Sequence, residues 1–194
     1  MEKIVLASNN KHKIKEFKDI LKDYEILSLN DIGYLDDIVE DGNSFLENSL
    51  IKARTISEYL KNKNLQYIVI ADDSGLCCEA LNGEPGIYSA RYASDHDIKK
   101  NRDVLISNLK GKDKKAYFNC TIVVYYPDGS YKHFVGKTYG SIIDEERGKN
   151  DFGYDCIFLS DDLGITFGEA SDEAKNSVSH RKRALEKLKA DLDK

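Results

Sequence analysis

Two adjacent carboxylates, Asp72 and Asp73, follow directly on the apolar run Tyr67–Ala71. Like charges on neighbouring residues repel, and an unpaired carboxylate near a core is costly to desolvate. Something positive is therefore expected beside them: a metal ion, a lysine or arginine cluster, or failing those the solvent beyond a strand end. Ser74 and Gly75 read as the start of a turn that brings both carboxylates toward one site. Magnesium takes hard oxygen ligands and needs only one or two carboxylates beside a ligand's phosphates, so Asp73 with Glu40 is a sufficient protein donor set. A solvent-facing turn in an acidic chain fits the same residues.

Three further groups have the types and spacing for chemistry. In "ASNNKHK" an apolar run passes through a polar loop into a helix, whose first amides lack intrahelical partners and carry the positive end of the helix dipole. Ser8, Asn9 and Asn10 can cap that helix or contact phosphate oxygens, and Lys13 in the first turn adds a full charge. The stretch is not the GxxxxGK[ST] phosphate loop, and an ordinary capped helix with exposed lysines fits it as well. "FGYD" at Phe152 to Asp155 offers an aromatic face, a glycine that permits close backbone approach and a carboxylate that can accept from a base N–H; Phe152 suits a core position equally. His180 and Arg181 begin the last helix outside its apolar stripe, where both can donate to a carbonyl oxygen. A basic start opposes the dipole and so favours a functional reading over a solvated charge run. Spacing alone does not separate Lys52 and Lys175 from the other basic residues.

Those groups need elements to hold them. The run "KIVLAS" reads as a strand, and Ile14, Phe17 and Leu21 follow at helical spacing. A second helix is predicted in "NSFLENSLIKARTISEYL", with Ser44 and Glu47 at capping-box spacing and Leu46, Leu50, Ala53, Ile56 and Leu60 as its stripe. "QYIVIA" reads as a strand apolar on both faces, placed centrally in a sheet, with the aspartate pair at its carboxyl end. Phe118, Cys120, Ile122 and Val124 alternate along a strand that ends at the turn "PDG", and Tyr131 to Tyr139 completes a hairpin. "YDCIFL" is a further strand candidate, and Ala184, Leu185, Leu188 and Leu192 make the stripe of a final helix. The predicted sheet is mixed.

With 194 residues, 41% of them hydrophobic and 32% charged, one well-packed domain is expected. A net charge of −5 argues against a surface that neutralises nucleic-acid phosphates. The four cysteines, Cys77, Cys78, Cys120 and Cys156, show neither a CxxC pair nor a metal-ligand spacing, so the chain reads as a reduced, cytoplasmic protein. No run approaches the roughly 18 apolar residues of a membrane span, and no export signal is visible.

Taken in order, "SNNKHKIKE", "EDGNSFLENSLIKA", "ADDSGLCCEALNGEPGIYSARYA", "FGYDCIF" and "EAKNSVSHRKRAL" resemble the inosine triphosphate pyrophosphatase family, the non-canonical purine NTP pyrophosphatases. The likeness spans nearly the whole chain. It implies an α/β fold in which an elongated mixed β-sheet with flanking helices forms two lobes around a nucleotide cleft, as one domain over residues 1–194. It implies a magnesium-dependent hydrolase that converts ITP, dITP and XTP to the monophosphate and pyrophosphate, working as a homodimer. Carried onto this sequence, the resemblance makes Ser8, Asn9, Asn10, Lys11, His12 and Lys13 the triphosphate-binding loop, with Lys52 nearby, and gives Glu40 and Asp73 to magnesium. Asp73 corresponds to the family's base, Asp72 supports the metal or the attacking water, and Ser74 contacts substrate. Phe152, Gly153, Tyr154, Asp155, Lys175, His180 and Arg181 hold the nucleotide. At Cys156 the chain departs from the proline usual after "FGYD"; proline restricts the residue before it, so the change bears on how Asp155 is positioned.

The reaction so implied is attack on the α-phosphorus by water that Asp73 orients or deprotonates, with magnesium and Lys13 stabilising charge on the pyrophosphate leaving group. His180 and Arg181 suit the 6-keto oxygen of hypoxanthine or xanthine and oppose the 6-amino group of adenine. Guanine shares that oxygen, and the contact that excludes GTP is not legible. Two rivals use the same residues: a phosphatase with an aspartyl nucleophile, and a nucleotide-binding regulatory module without turnover.

Overall fold

Strands that are apolar on both faces belong inside a sheet covered by helices. The computed structural model, which describes residues 1–194, places the one such run, QYIVIA, accordingly, with Val69, Ile70 and Ala71 buried in an interior strand. Its strands are β1 (Glu2–Leu6), β2 (Tyr24–Leu27), β3 (Ile68–Cys78), β4 (Lys115–Tyr125), β5 (Tyr131–Ile142) and β6 (Phe158–Ser160), and its helices are α1 (Lys11–Ile20), α2 (Phe45–Asn62), α3 (Ile98–Asn108), α4 (Asp172–Val178) and α5 (His180–Leu192). The six strands form one sheet in the order β2-β1-β3-β4-β5-β6. The sheet is mixed, as predicted. β1 runs parallel to β2 and to β3, with Leu6 opposite Ile70, while β6 runs antiparallel to β5.

Several elements differ from the sequence reading. β3 does not stop at Ala71, and Ser74-Gly75 is no turn: the strand continues to Cys78, so the aspartate pair lies in mid-strand. β4 is buried on both faces from Phe118 to Val124 rather than alternating, because polar Asn119 and Thr121 are enclosed with their apolar neighbours. In "YDCIFL" only Phe158 and Leu159 are in a strand; Asp155–Ile157 form a 3-10 turn instead. β5 runs on to Ile142. The short β2 and the helices α3 and α4 had no clear signal; on α3 the buried face carries Asn101 and Arg102 beside Leu105, which masks its periodicity.

Contacts divide the chain into two compact units, the first made of Met1–Asp73, Thr121–Val135 and Ala184–Lys194, the second of Ser74–Cys120 and Gly136–Arg183. In the first, Val5, Val69 and Ala71 pack with Leu50, Ala53, Ile56 and Leu60 of α2; each fully buried large side chain there stabilises the fold by roughly 1.5–3 kcal/mol. The helix starts where predicted: the Ser44 hydroxyl accepts from the Glu47 amide, and Glu47 in turn accepts from the Asn43 amide. The second unit is built on Phe118, Phe158 and Phe167, with Leu105 of α3, Leu109 at its C-cap, the predicted nucleotide-loop residue Tyr154 and the neighbouring Cys156. No helix is long and apolar enough to cross a membrane.

Candidate active site

In the first unit the β1–β3 register sets the site. Leu6 pairs with Ile70, so the chain leaving β1 reaches the start of α1 alongside Asp72. Asn10 caps α1, its side-chain oxygen accepting from the amides of His12 and Lys13, while Ser8 accepts from Asn10 and Asn9 accepts from the Asn30 amide. The side-chain oxygens of Ser8, Asn9 and Asn10 are thus engaged in shaping the loop. Lys11 and His12 are exposed. Lys13 turns inward, its Nζ 3.0 Å from Oδ1 of the buried Asp72.

Because β3 continues through the aspartates, their side chains leave opposite faces of the strand. Asp72 meets α1 through Lys13; Asp73 lies on the face of Val69 and Ala71 and meets α2, where Asn48 Nδ2 donates to its Oδ2 at 3.1 Å. The expected convergence of both carboxylates through a turn is therefore corrected. A lysine links the two sides instead: Lys52 Nζ donates to the Asp72 carbonyl oxygen at 2.5 Å and lies 2.8 Å from Glu40 Oε1. Asn48, missed in the sequence, also accepts from the Gly42 amide at 2.9 Å, so one amide side chain ties the Glu40–Gly42 segment to Asp73. A Cβ on Gly42 would lie 2.7 Å from Asn48 Oδ1, which is why glycine stands there. The available signal was an asparagine, a poor helix former, at an interior helical position.

Burial pushes the Asp73 carboxyl up to about 6; Lys52 and the Asn48 hydrogen bond oppose the rise, while Glu40 and Asp72 add to it. Burial works against the charge on Lys52, but Asp72, Glu40 and Asp73 outweigh it and hold its proton more firmly than usual. Three carboxylates here face two ammonium groups. No group of three or more His, Cys, Asp or Glu side chains forms a metal cage; Glu40 and Asp73 are hard-oxygen donors of the kind a divalent cation takes.

The second unit gathers most of the remaining predicted residues. Asp155 is buried and pairs with Lys175 of α4, with Asn150 Nδ2 at 3.3 Å. Burial raises its proton affinity, and the Lys175 and Arg102 charges oppose that. Phe152 is 61% exposed, so it is not core, and Lys175 Nζ lies 5.2 Å from its ring centroid. Gly153 has φ +54°, the left-handed region that favours glycine. Tyr154 is turned away, buried with its hydroxyl donating to the Ser89 carbonyl at 2.6 Å, and so props the loop instead of facing a ligand with its ring. Cys156 in place of proline is buried, and its carbonyl accepts from the Arg147 amide at 2.8 Å. His180 is not clear of apolar packing as predicted: its ring stacks on Phe118 with centroids 5.1 Å apart and planes at 18°. Arg181 on α5 and Ser74 on β3 are half-buried. Arg102, also missed, donates to the Gly153 carbonyl from a buried position.

The model of the Ham1 family matches residues 4–191, taking in both units. A dITP/XTP pyrophosphatase of Clostridium perfringens is 49% identical, over 99% of this chain and 98% of its own. A dITP/XTP pyrophosphatase of Campylobacter jejuni is 42% identical, over 96% of this chain and 95% of its own. Among solved structures, the Staphylococcus aureus Ham1 protein superposes with a TM-score of 0.90 at 41% identity, covering 99% of this chain and 98% of that one. With its sheet, its site segments and nearly its whole length matched, this chain belongs to the Ham1 family.

Proposed function

We propose that this chain hydrolyses the non-canonical purine nucleoside triphosphates ITP, dITP and XTP to the monophosphate and pyrophosphate, with magnesium as the metal, as one catalytic domain over residues 1–194. The observation that carries the reading is the β3 cluster: a half-buried carboxylate of raised proton affinity, Asp73, set among two further carboxylates and two lysines. The activity for which its full-length relatives are named supports it.

Asp73 and Glu40 are the residues that would hold the metal, and when bound the ion would neutralise triphosphate charge and polarise the reacting phosphorus. A carboxyl that titrates near 6 is ionised at neutral pH yet basic enough to orient water or accept its proton, which suits Asp73 as the base. Asp72, paired with Lys13, fixes that ammonium where it meets the negative charge of a departing pyrophosphate. The α1 amino terminus from Lys11 onward, with His12, adds the favourable end of the helix dipole for phosphate oxygens. Lys52 holds Glu40 and the Asp72 backbone in place. In the second unit Phe152, Gly153, Asp155, Lys175, His180 and Arg181 are assigned to the purine, with His180 and Arg181 donating to its 6-keto oxygen. Ser74 is assigned to substrate, and homodimerisation and a cytoplasmic location complete the reading.

A panel of ITP, dITP, XTP, GTP and ATP, assayed with magnesium and with chelator and scored separately for pyrophosphate and orthophosphate, tests all of this. Pyrophosphate from ITP, dITP and XTP, dependent on the metal, is the expected result. Stepwise orthophosphate or a trapped aspartyl phosphate would point to the aspartyl phosphatase instead, and tight binding without turnover to a regulatory module.

A further inference from the structure

The loop from Glu146 to Asp155 carries Phe152, Gly153 and Asp155, and its middle is open to solvent: the Asp151 side chain is 81% exposed and Phe152 61% exposed. Within the second unit α3 delivers a guanidinium against it. Arg102 is the sole Lys or Arg among the buried residues, at 2% exposure; a cation is tolerated there only when it is paired and its donors are used. Its Nε donates to the Gly153 carbonyl at 2.6 Å and its Nη1 to Glu146 Oε1 at 3.0 Å. Its Nη2 donates to the carbonyl of Asp151 at 3.1 Å and to its Oδ1 at 2.5 Å. One planar fork therefore grips three points of a single loop, a geometry the point charge of a lysine does not reproduce. Elsewhere the amides of Lys149 and Asn150 both donate to the Gly168 carbonyl, and toward its end the loop is held by the Tyr154 hydroxyl on the Ser89 carbonyl and by the Asp155–Lys175 pair; at Asp151 and Gly153, on either side of Phe152, the hold is the guanidinium.

We propose that Arg102 is a positioning residue for the purine end of the substrate: by fixing Asp151 and Gly153 it sets the backbone on either side of Phe152 and hence the approach to Asp155. It acts through the loop and touches no reacting atom. The inference rests on the pyrophosphatase reading above. The Glu146 and Asp151 side chains are 42% and 81% exposed, so replacing the arginine strands neither partner, and the buried Asp155 keeps Lys175.

The test compares the parent with Arg102→Met, Arg102→Lys and a Glu146→Ala/Asp151→Ala double variant. It reads steady-state kinetics on dITP and dATP, and calorimetric binding of IMP, which carries the base, and of inorganic triphosphate, which does not. Arg102→Met is expected to raise the dITP KM about 10- to 100-fold while kcat changes less than about threefold, the signature of lost binding rather than lost chemistry. IMP affinity should fall in step, triphosphate affinity should hold, and the dITP-over-dATP ratio should drop. Arg102→Lys should recover only part of the loss, and the double variant should raise KM about three- to tenfold. A parental KM and base ratio in Arg102→Met, full recovery by lysine, or equal loss of IMP and triphosphate would each overturn the proposal. Should Arg102→Met fail to fold, the double variant decides, and a parental KM there sinks the idea. A parent that releases no pyrophosphate from dITP overturns the underlying reading instead, and the IMP-against-triphosphate comparison still judges Arg102.

Discussion

The two units each bury an aspartate beside a lysine, and treat it differently. In the second, Asp155 pairs with Lys175, and the Arg102 charge adds to that support. In the first, Lys52 is directed to Glu40 and the Asp72 carbonyl, Lys13 is directed to Asp72, and Asp73 receives a hydrogen bond from the Asn48 amide while two carboxylates crowd it. Cations oppose the burial of Asp155, whereas Asp73 also feels two neighbouring carboxylates that add to the effect of its burial. Under the proposed function, Asp155 serves the base and Asp73 the metal-bound polyanion.

Removing the charge from Asp73 is the strongest way to break that contrast. Asp73→Asn is expected to lower kcat by about 10²- to 10⁴-fold with a far smaller change in nucleotide affinity; near-parental turnover would remove Asp73 from its role. The converse experiment in the second unit, Lys175→Met, leaves Asp155 buried without its cation. It should cost about 3–5 kcal/mol in a denaturant titration and raise the dITP KM, and an unchanged midpoint would show that the pair is not what stabilises that loop.

The pH response sharpens the comparison further. Asp73 binds its proton more tightly in the folded chain, at about 6, than at the ordinary 3.8. Its contribution to metal-free stability is therefore full below about 3.8 and lost as pH rises through about 6, a difference of about 2–3 kcal/mol at most. Thermal melts in chelator should show the parent losing stability between those values and Asp73→Asn losing less; added magnesium should reverse the loss above pH 6 and do little below it, where protons compete for the same oxygens. Parallel curves for the two proteins would refute this. The smallest effect is expected at the base: His180→Ala should lower the ITP-over-ATP ratio of kcat/KM by about tenfold, the value of a lost polar contact. An unchanged ratio in side-by-side kinetics would reassign His180 to packing on Phe118.

Much of the site was legible because its local rules are local. Asn10 and Ser44 cap helices where their side chains reach an amide two or three residues on, and Leu50, Ala53, Ile56 and Leu60 repeat at the helical period. Asn48 and Arg102 were not legible, since each owes its role to partners distant in sequence: Asp73 lies 25 residues from Asn48, and Gly153 lies 51 from Arg102. The turn expected at Ser74-Gly75 failed for a related reason. Local composition suggested a break, whereas neighbouring strands kept the chain extended to Cys78.

By itself the sequence determined the chemical inventory: a paired aspartate after an apolar strand, a capped helix start bearing Lys13, an aromatic-glycine loop and a basic final helix, each readable from residue type and spacing. Only the tertiary structure decided how charge is shared among them. It sent Asp72 to one face of β3 and Asp73 to the other, gave Lys52 to Glu40, and set a buried arginine under the Gly153 loop. The physical reason is that desolvation and ion pairing depend on which side chains the fold brings within a few ångströms, and separation along the chain carries no record of that distance.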